Sequence, residues 1–247
     1  KYLKIGGCIY MEIESKNSLA RLCILTSKLK ESNSSNPNIA FSRIFEVNEN
    51  NLLEVMTAYS DLMQLCNNSN NIVDKYCPNK ELAKKHISNI MYSLSKINFS
   101  DSLGMNSFKH SLSDSSLSSL EMLCTMLPSD GEILSSDKLN KIYENINSIS
   151  NEINRSNINN ELKEILIDRI EDILLIIRKY KIHGTNELIK SLETSIGSIC
   201  TNQTNIKTEE EVSLCKNILS KLSKSITCIN QNIPLIEFAS KVLSQIQ

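Results

Sequence analysis

The chain has 247 residues, room for one large helical domain or two small ones, and 40% of them are hydrophobic, enough for a real core. A formal net charge of −1 without a long block of one sign leaves no whole-chain basic footprint, which disfavours nucleic acid as a partner. Six Gly and four Pro suit long helices better than many strands and turns.

Asn17 or Ser18 can cap a first helix running to about Lys30, with Leu19, Leu22, Cys23 and Leu29 inward. Lys1, Lys4, Lys16, Arg21, Lys28 and Lys30 make this region a local basic patch. Met11 is the expected natural start, with the first ten residues as upstream sequence, which weakens that patch. Residues 32–38 form a polar breaker, and 41–47 read as a helix start because no partner strand follows.

Asn48 or Asn50 caps a strong helix containing Leu52, Leu53, Val55, Met56, Tyr59, Leu62, Met63 and Cys66, which the tract NNSNN at 67–71 is expected to interrupt. Pro78 and Asn79 start another, in which Leu82, Ala83, Ile87, Ile90, Met91 and Leu94 share a face. Residues 98–112 lack periodicity and read as a loop and soft boundary between an N-terminal half (11–97) and a C-terminal bundle (113–247).

Ser113 then caps a helix carrying Leu117, Leu120, Leu123, Cys124 and Leu127, and Ser135 or Ser136 opens one carrying Leu139, Ile142, Tyr143, Ile146, Ile149 and Ile153. The most legible stretch is 160–184, a long amphipathic helix with Leu162, Ile165, Leu166, Ile170, Ile173, Leu174 and Ile177 on one face and Gly184 as its stop. Thr185 caps the next, and Thr208 with Glu211 forms a capping box for a helix to about Ile229. Pro234 opens the last, with Leu235, Phe238, Ala239, Val242 and Leu243. The pattern predicts an all-α fold, an irregular multi-helix bundle or helical-hairpin array of about eight to ten helices.

The order of a helix, a charged helix ending Tyr180-Lys181-Ile182-His183-Gly184, and a helix with Leu188, Leu192 and Gly197 resembles uncharacterised all-helical proteins of bacterial genomes over residues 137–200. The resemblance implies a bacterial helical protein and transfers no functional residue.

No P-loop, HExxH or EF-hand pattern occurs, so no cofactor or metal is expected. The eight cysteines form no CxxC pair, and Cys23, Cys66, Cys124 and Cys215 fall among apolar positions, where a reduced thiol acts as a small core residue. Cys77, before Pro78, reads as a structural or merely exposed thiol. His86 borders an apolar helix face, His110 lies in the Ser-rich loop, and His183 is a cation at a helix end. No cleavable signal pattern is present, and the longest apolar run, Ile173 to Ile177, is too short to span a bilayer; a cytoplasmic protein without membrane contact is expected.

One surface feature is sharper. Glu161, Glu164, Asp168, Glu171 and Asp172 gather on the side of the long helix away from its apolar face. Like charges four apart destabilise a helix by roughly 0.2–0.5 kcal/mol per pair, a cost that a basic partner, such as a toxin or effector domain, would relieve. The expected function is a non-enzymatic, protein-binding one of the bacterial immunity, antitoxin or phage-defence accessory kind, with a homo-oligomer open. A nucleic-acid-binding regulator and a helical enzyme with a dispersed active site are the alternatives.

Overall fold

Asparagine and serine side chains set where most of the helices begin. In the computed structural model, which describes residues 3–5, 8–10, 17–129, 131, 133–202 and 205–229, Asn17, Asn36, Asn51, Asn79, Ser113, Ser135 and Asn159 each accept a hydrogen bond from a backbone N–H of the turn that follows. Each such cap is worth about 1 kcal/mol. The Asn-rich composition is therefore put to structural use.

Ten helices occur among the described residues, and the fold is all-α, as the apolar spacing predicts. A short hairpin, β1 (Leu3–Ile5) antiparallel to β2 (Cys8–Tyr10), precedes them. The helix expected from Pro234 onward and the basic residues Lys1 and Lys16 lie outside the described residues.

The chain forms two compact units, Lys1–Ile133 and Leu134–Gln247. The first holds α1 (Ser18–Glu31), α2 (Pro37–Phe45), α3 (Leu52–Tyr76), α4 (Lys80–Leu94), α5 (Asn106–Ser111) and α6 (Asp114–Met126). Here α1 is central, packing on α2, α3, α5 and α6, while α4 lies against α3, α5 and α6. Leu19, Leu22, Leu25 and Leu29 of α1 are all fully buried. Phe41, Phe45, Tyr59 and Phe99 gather around α2, with ring centroids 5.2 to 6.2 Å apart.

The helix α3 runs straight through NNSNN to Tyr76. Leu62, Leu65, Cys66, Ser69, Ile72 and Val73 stay in helical phase and all are buried, with the Ser69 hydroxyl donating to the Leu65 carbonyl at 2.7 Å. Burying Ile72 and Val73 contributes roughly 1.5–3 kcal/mol each, more than the few tenths each asparagine costs. At the other end of α3 Leu52 and Leu53 face outward, 54% and 76% exposed. Leu82 of α4 is likewise outside the core, at 48%.

The division between the units falls after Ile133, and 98–112 lies inside the first unit. This segment is held by backbone and side-chain ties that leave no hydrophobic period to read. The Met105 N–H donates to the Ser35 carbonyl at 2.9 Å, Lys109 Nζ donates to the carbonyls of Ser32 and Ser34, and Met105 and Phe108 are fully buried. Asn106–Ser111 of the expected loop is helix α5.

The second unit holds α7 (Ser136–Arg155), α8 (Asn160–Arg178), α9 (Tyr180–Thr201) and α10 (Glu209–Ile229). Each packs on the next, and α10 closes onto α7, giving a four-helix ring around Ile142, Ile146, Ile149, Leu166, Ile173, Leu192, Ile218 and Leu222. The helix expected over 160–184 ends at Arg178, because Lys179 leaves helical geometry (φ −102°, ψ 24°). After Ile177 the next buried apolar residue is Ile182, five positions on, so the old face cannot continue. Gly184 adopts φ 70° and ψ −173°, which only glycine reaches without strain, and the Tyr180 hydroxyl bridges that bend to Thr185 Oγ1 at 2.6 Å.

Gly197 lies inside α9, and a Cβ there would meet nothing within 4 Å. Gly197→Ala is expected to raise stability by roughly 0.5–1 kcal/mol, by restricting the unfolded chain and removing a weak helix former. A higher urea midpoint at unchanged slope checks this; a lower midpoint would show that the position is not free.

Candidate functional site

Asn159 starts α8 by accepting the Leu162 N–H at 2.8 Å, and Leu162, Leu166, Ile170, Ile173 and Ile177 then fix the buried side. The helical period leaves Glu161, Glu164, Asp168, Glu171 and Asp172 exposed, within an arc of roughly 100° at 3.6 residues per turn. Neutralisation from the protein itself is sparse. Arg169 Nη1 reaches Asp172 Oδ2 at 3.1 Å, and the Asn205 amide donates to Glu161 at 3.4 Å. Among the described residues Glu164, Asp168 and Glu171 have no ion-pair partner.

Leu175 is in phase with these carboxylates and is 45% exposed. Periodicity alone places it outward, four residues after Glu171, but it reads in sequence as part of the apolar run Ile173 to Ile177. The face is thus a stripe of negative charge with one apolar side chain at its C-terminal end. That composition is what a protein interface needs, an anchor to desolvate and charges to orient the partner.

Elsewhere the candidate residues serve structure. His86 Nδ1 lies 3.2 Å from Ser116 Oγ, which also takes the Asn89 amide at 3.3 Å and the Ser113 hydroxyl at 3.2 Å. Ser116 is 2% exposed, so this cluster is a polar seam between α4 and α6, with its hydroxyl already shared. His110 Nδ1 lies 2.7 Å from the Asn106 carbonyl on the exposed side of α5. His183 sits in the single turn before Gly184, its N–H donating to Lys179.

Cys66 and Cys215 are buried, and burial pushes their thiols up to about 12 and about 11. Cys77 ends α3 rather than opening α4, and its thiol points at the Asn79 carbonyl, 3.6 Å away. In the basic N-terminal region Arg21 is 5% exposed and Lys30 donates to the Leu112 carbonyl at 2.6 Å and to Asp114, so these cations belong to the packing of the first unit.

A shallow groove of about 350 Å³ lies along α7, lined by Tyr143, Asn147, Asn151, Glu152 and Arg155 among others. Lys221 of α10 pairs with Glu152 beside it, and Asn217 donates to the same carboxylate at 2.7 Å. One helix supplies the whole lining, so side chains do not converge on a reacting atom there. Among the described residues no three His, Cys, Asp or Glu side chains gather as metal ligands, and no helix is long and apolar enough to cross a membrane. No known protein family, no curated protein and no solved structure matches this chain.

Proposed function

We propose that the protein is a non-enzymatic binding protein whose exposed face of α8 docks a basic protein domain, the role of an immunity, antitoxin or phage-defence accessory protein in a bacterial cytoplasm. The observation that carries this reading is the alignment of Leu175 with five exposed carboxylates, four of them without an ion-pair partner among the described residues. Two like-charge pairs at spacing four, Glu164/Asp168 and Asp168/Asp172, cost the free helix a few tenths of a kcal/mol each. A cationic partner converts that cost into attraction and speeds encounter.

The double reversal Asp168→Lys with Asp172→Lys tests it. Both positions are exposed on α8, so far-UV circular dichroism is expected to stay unchanged. A basic protein retained by the wild-type chain in affinity capture from its host is expected to be lost from the variant. Equal retention by both chains would place the docking surface elsewhere.

A further inference from the structure

Cys23 of α1 and Cys124 of α6 come from positions 101 residues apart, and their sulfurs lie 3.8 Å from each other. It is the one sulfur–sulfur contact among the described residues. The two helices pack directly, and Asn17 fastens the same seam: fully buried, it caps α1 and donates its amide to the carbonyls of Cys124 and Pro128 at 3.3 and 3.4 Å. Cys23 is 2% exposed, whereas Cys124 is only half-buried. Cys124 is therefore the more accessible residue of the two, and an oxidant arriving from solvent meets it first.

We propose that Cys23 and Cys124 are a modification site, a dithiol that a hydroperoxide oxidises to a disulfide clamping α1 to α6. Closing from van der Waals contact to a bond of about 2.05 Å needs side-chain rotation within a packed seam, with no rearrangement of topology. The Cys124 thiolate attacks the peroxide oxygen, breaking the O–O bond, giving a sulfenic acid and releasing an alcohol, or water from hydrogen peroxide. Cys23 then loses its proton and attacks the sulfenic sulfur, forming the S–S bond and releasing water. Two thiols and one hydroperoxide thus become one disulfide, one alcohol and one water, with the sulfurs oxidised and the peroxide reduced.

The Cys23 thiol is pushed well up from its ordinary range, first by its hydrogen bond with Cys124, then by burial and by the charges of Cys124 and Glu121. Cys124 is therefore the thiol oxidised first, and Cys23 the one that resolves the sulfenic acid.

Treatment of the folded, reduced chain with hydrogen peroxide followed by tryptic mapping tests this. The expected product is a linked pair of peptides, residues 22–28 joined to 110–138, each carrying a single cysteine. It should be lighter than the two peptides by about 2 Da and return to them on reduction. The oxidised chain is expected to gain roughly 5 °C or more in thermal midpoint, because the bond closes a long loop. A Cys124→Ser chain is expected to lose both the linked pair and the gain. If that variant does not fold, the wild-type map decides alone. Absence of the linked pair once other thiols have been consumed, or its formation no faster in the folded than in the urea-unfolded chain, would overturn the proposal.

Discussion

Glu211→Ala is expected to lower the stability of the second unit by roughly 3–4 kcal/mol, a large fraction of the total for a domain of this size. Glu211 is 2% exposed, yet its carboxylate is fully engaged. It accepts the Lys207 and Thr208 N–H groups at 2.7 and 2.9 Å and the Asn159 N–H and amide at 3.1 and 2.8 Å. Thr208 Oγ1 in turn accepts the Glu211 N–H at 3.2 Å, so the expected capping box is present and reciprocal. Its reach is longer than a cap, because Asn159 is the residue that starts α8. One carboxylate therefore joins the beginnings of α8 and α10. Alanine would leave several donors without their acceptor, and that desolvation penalty, rather than the net worth of any single bond, makes the effect large.

The same carboxylate gives a pH signature. The backbone donors of Lys207, Asn159 and Thr208 lower its pKa from 4.5 to about 2. A folded-state pKa below the unfolded one means stability fully present above the unfolded value and lost as pH falls toward about 2. The gap between wild type and Glu211→Ala is thus expected to be widest above pH 4.5 and to narrow below it. Hydrogen exchange of the α7–α10 amides reads this unit directly. A gap that stays constant from neutral pH to pH 2 would show that the carboxylate's charge contributes nothing.

Gly104→Ala is expected to cost about 3 kcal/mol or more in the first unit. A Cβ at this position would fall 1.9 Å from the Asn98 carbonyl oxygen and 2.9 Å from that of Asp101. Both obstacles are backbone, so no rotamer change relieves the clash. The turn is itself bonded, with the Asn98 N–H donating to the Gly104 carbonyl at 3.2 Å and the Gly104 N–H to that of Asp101 at 3.0 Å. Moving it would unseat Met105 and Phe108, both fully buried just beyond. The fall in urea midpoint should be large and opposite in sign to that of Gly197→Ala. A change below about 1 kcal/mol would mean that the 98–104 turn yields easily.

What could be read from the sequence was whatever depends on neighbours along the chain. Asn17, Ser113 and the Thr208–Glu211 box are local hydrogen-bonding devices, and the apolar stripes of α1, α7 and α8 follow one helical period. Features decided by tertiary contact were hidden. NNSNN looks like a breaker until Ile72 and Val73 are known to be buried, and 98–112 looks like a linker until Met105 and Phe108 are known to be anchors. The exposure of Leu52 and Leu53 depends on how the start of α3 meets its neighbours, which spacing within one helix does not give. The five acidic residues could be placed on one outward stripe because α8 is regular there, while Leu175 was concealed by its apolar neighbours. The Cys23–Cys124 contact joins two helices far apart in the chain and carries no local signal.

The acidic face of α8, which ends on the exposed Leu175, is proposed to bind a basic protein. Calorimetric titration of the captured partner into the wild-type chain and into the Asp168→Lys, Asp172→Lys variant, each at two ionic strengths, tests it most directly. Affinity should be at least about tenfold weaker for the variant, and wild-type affinity should fall as salt screens the attraction. Equal affinity for both chains at both salt concentrations would contradict it.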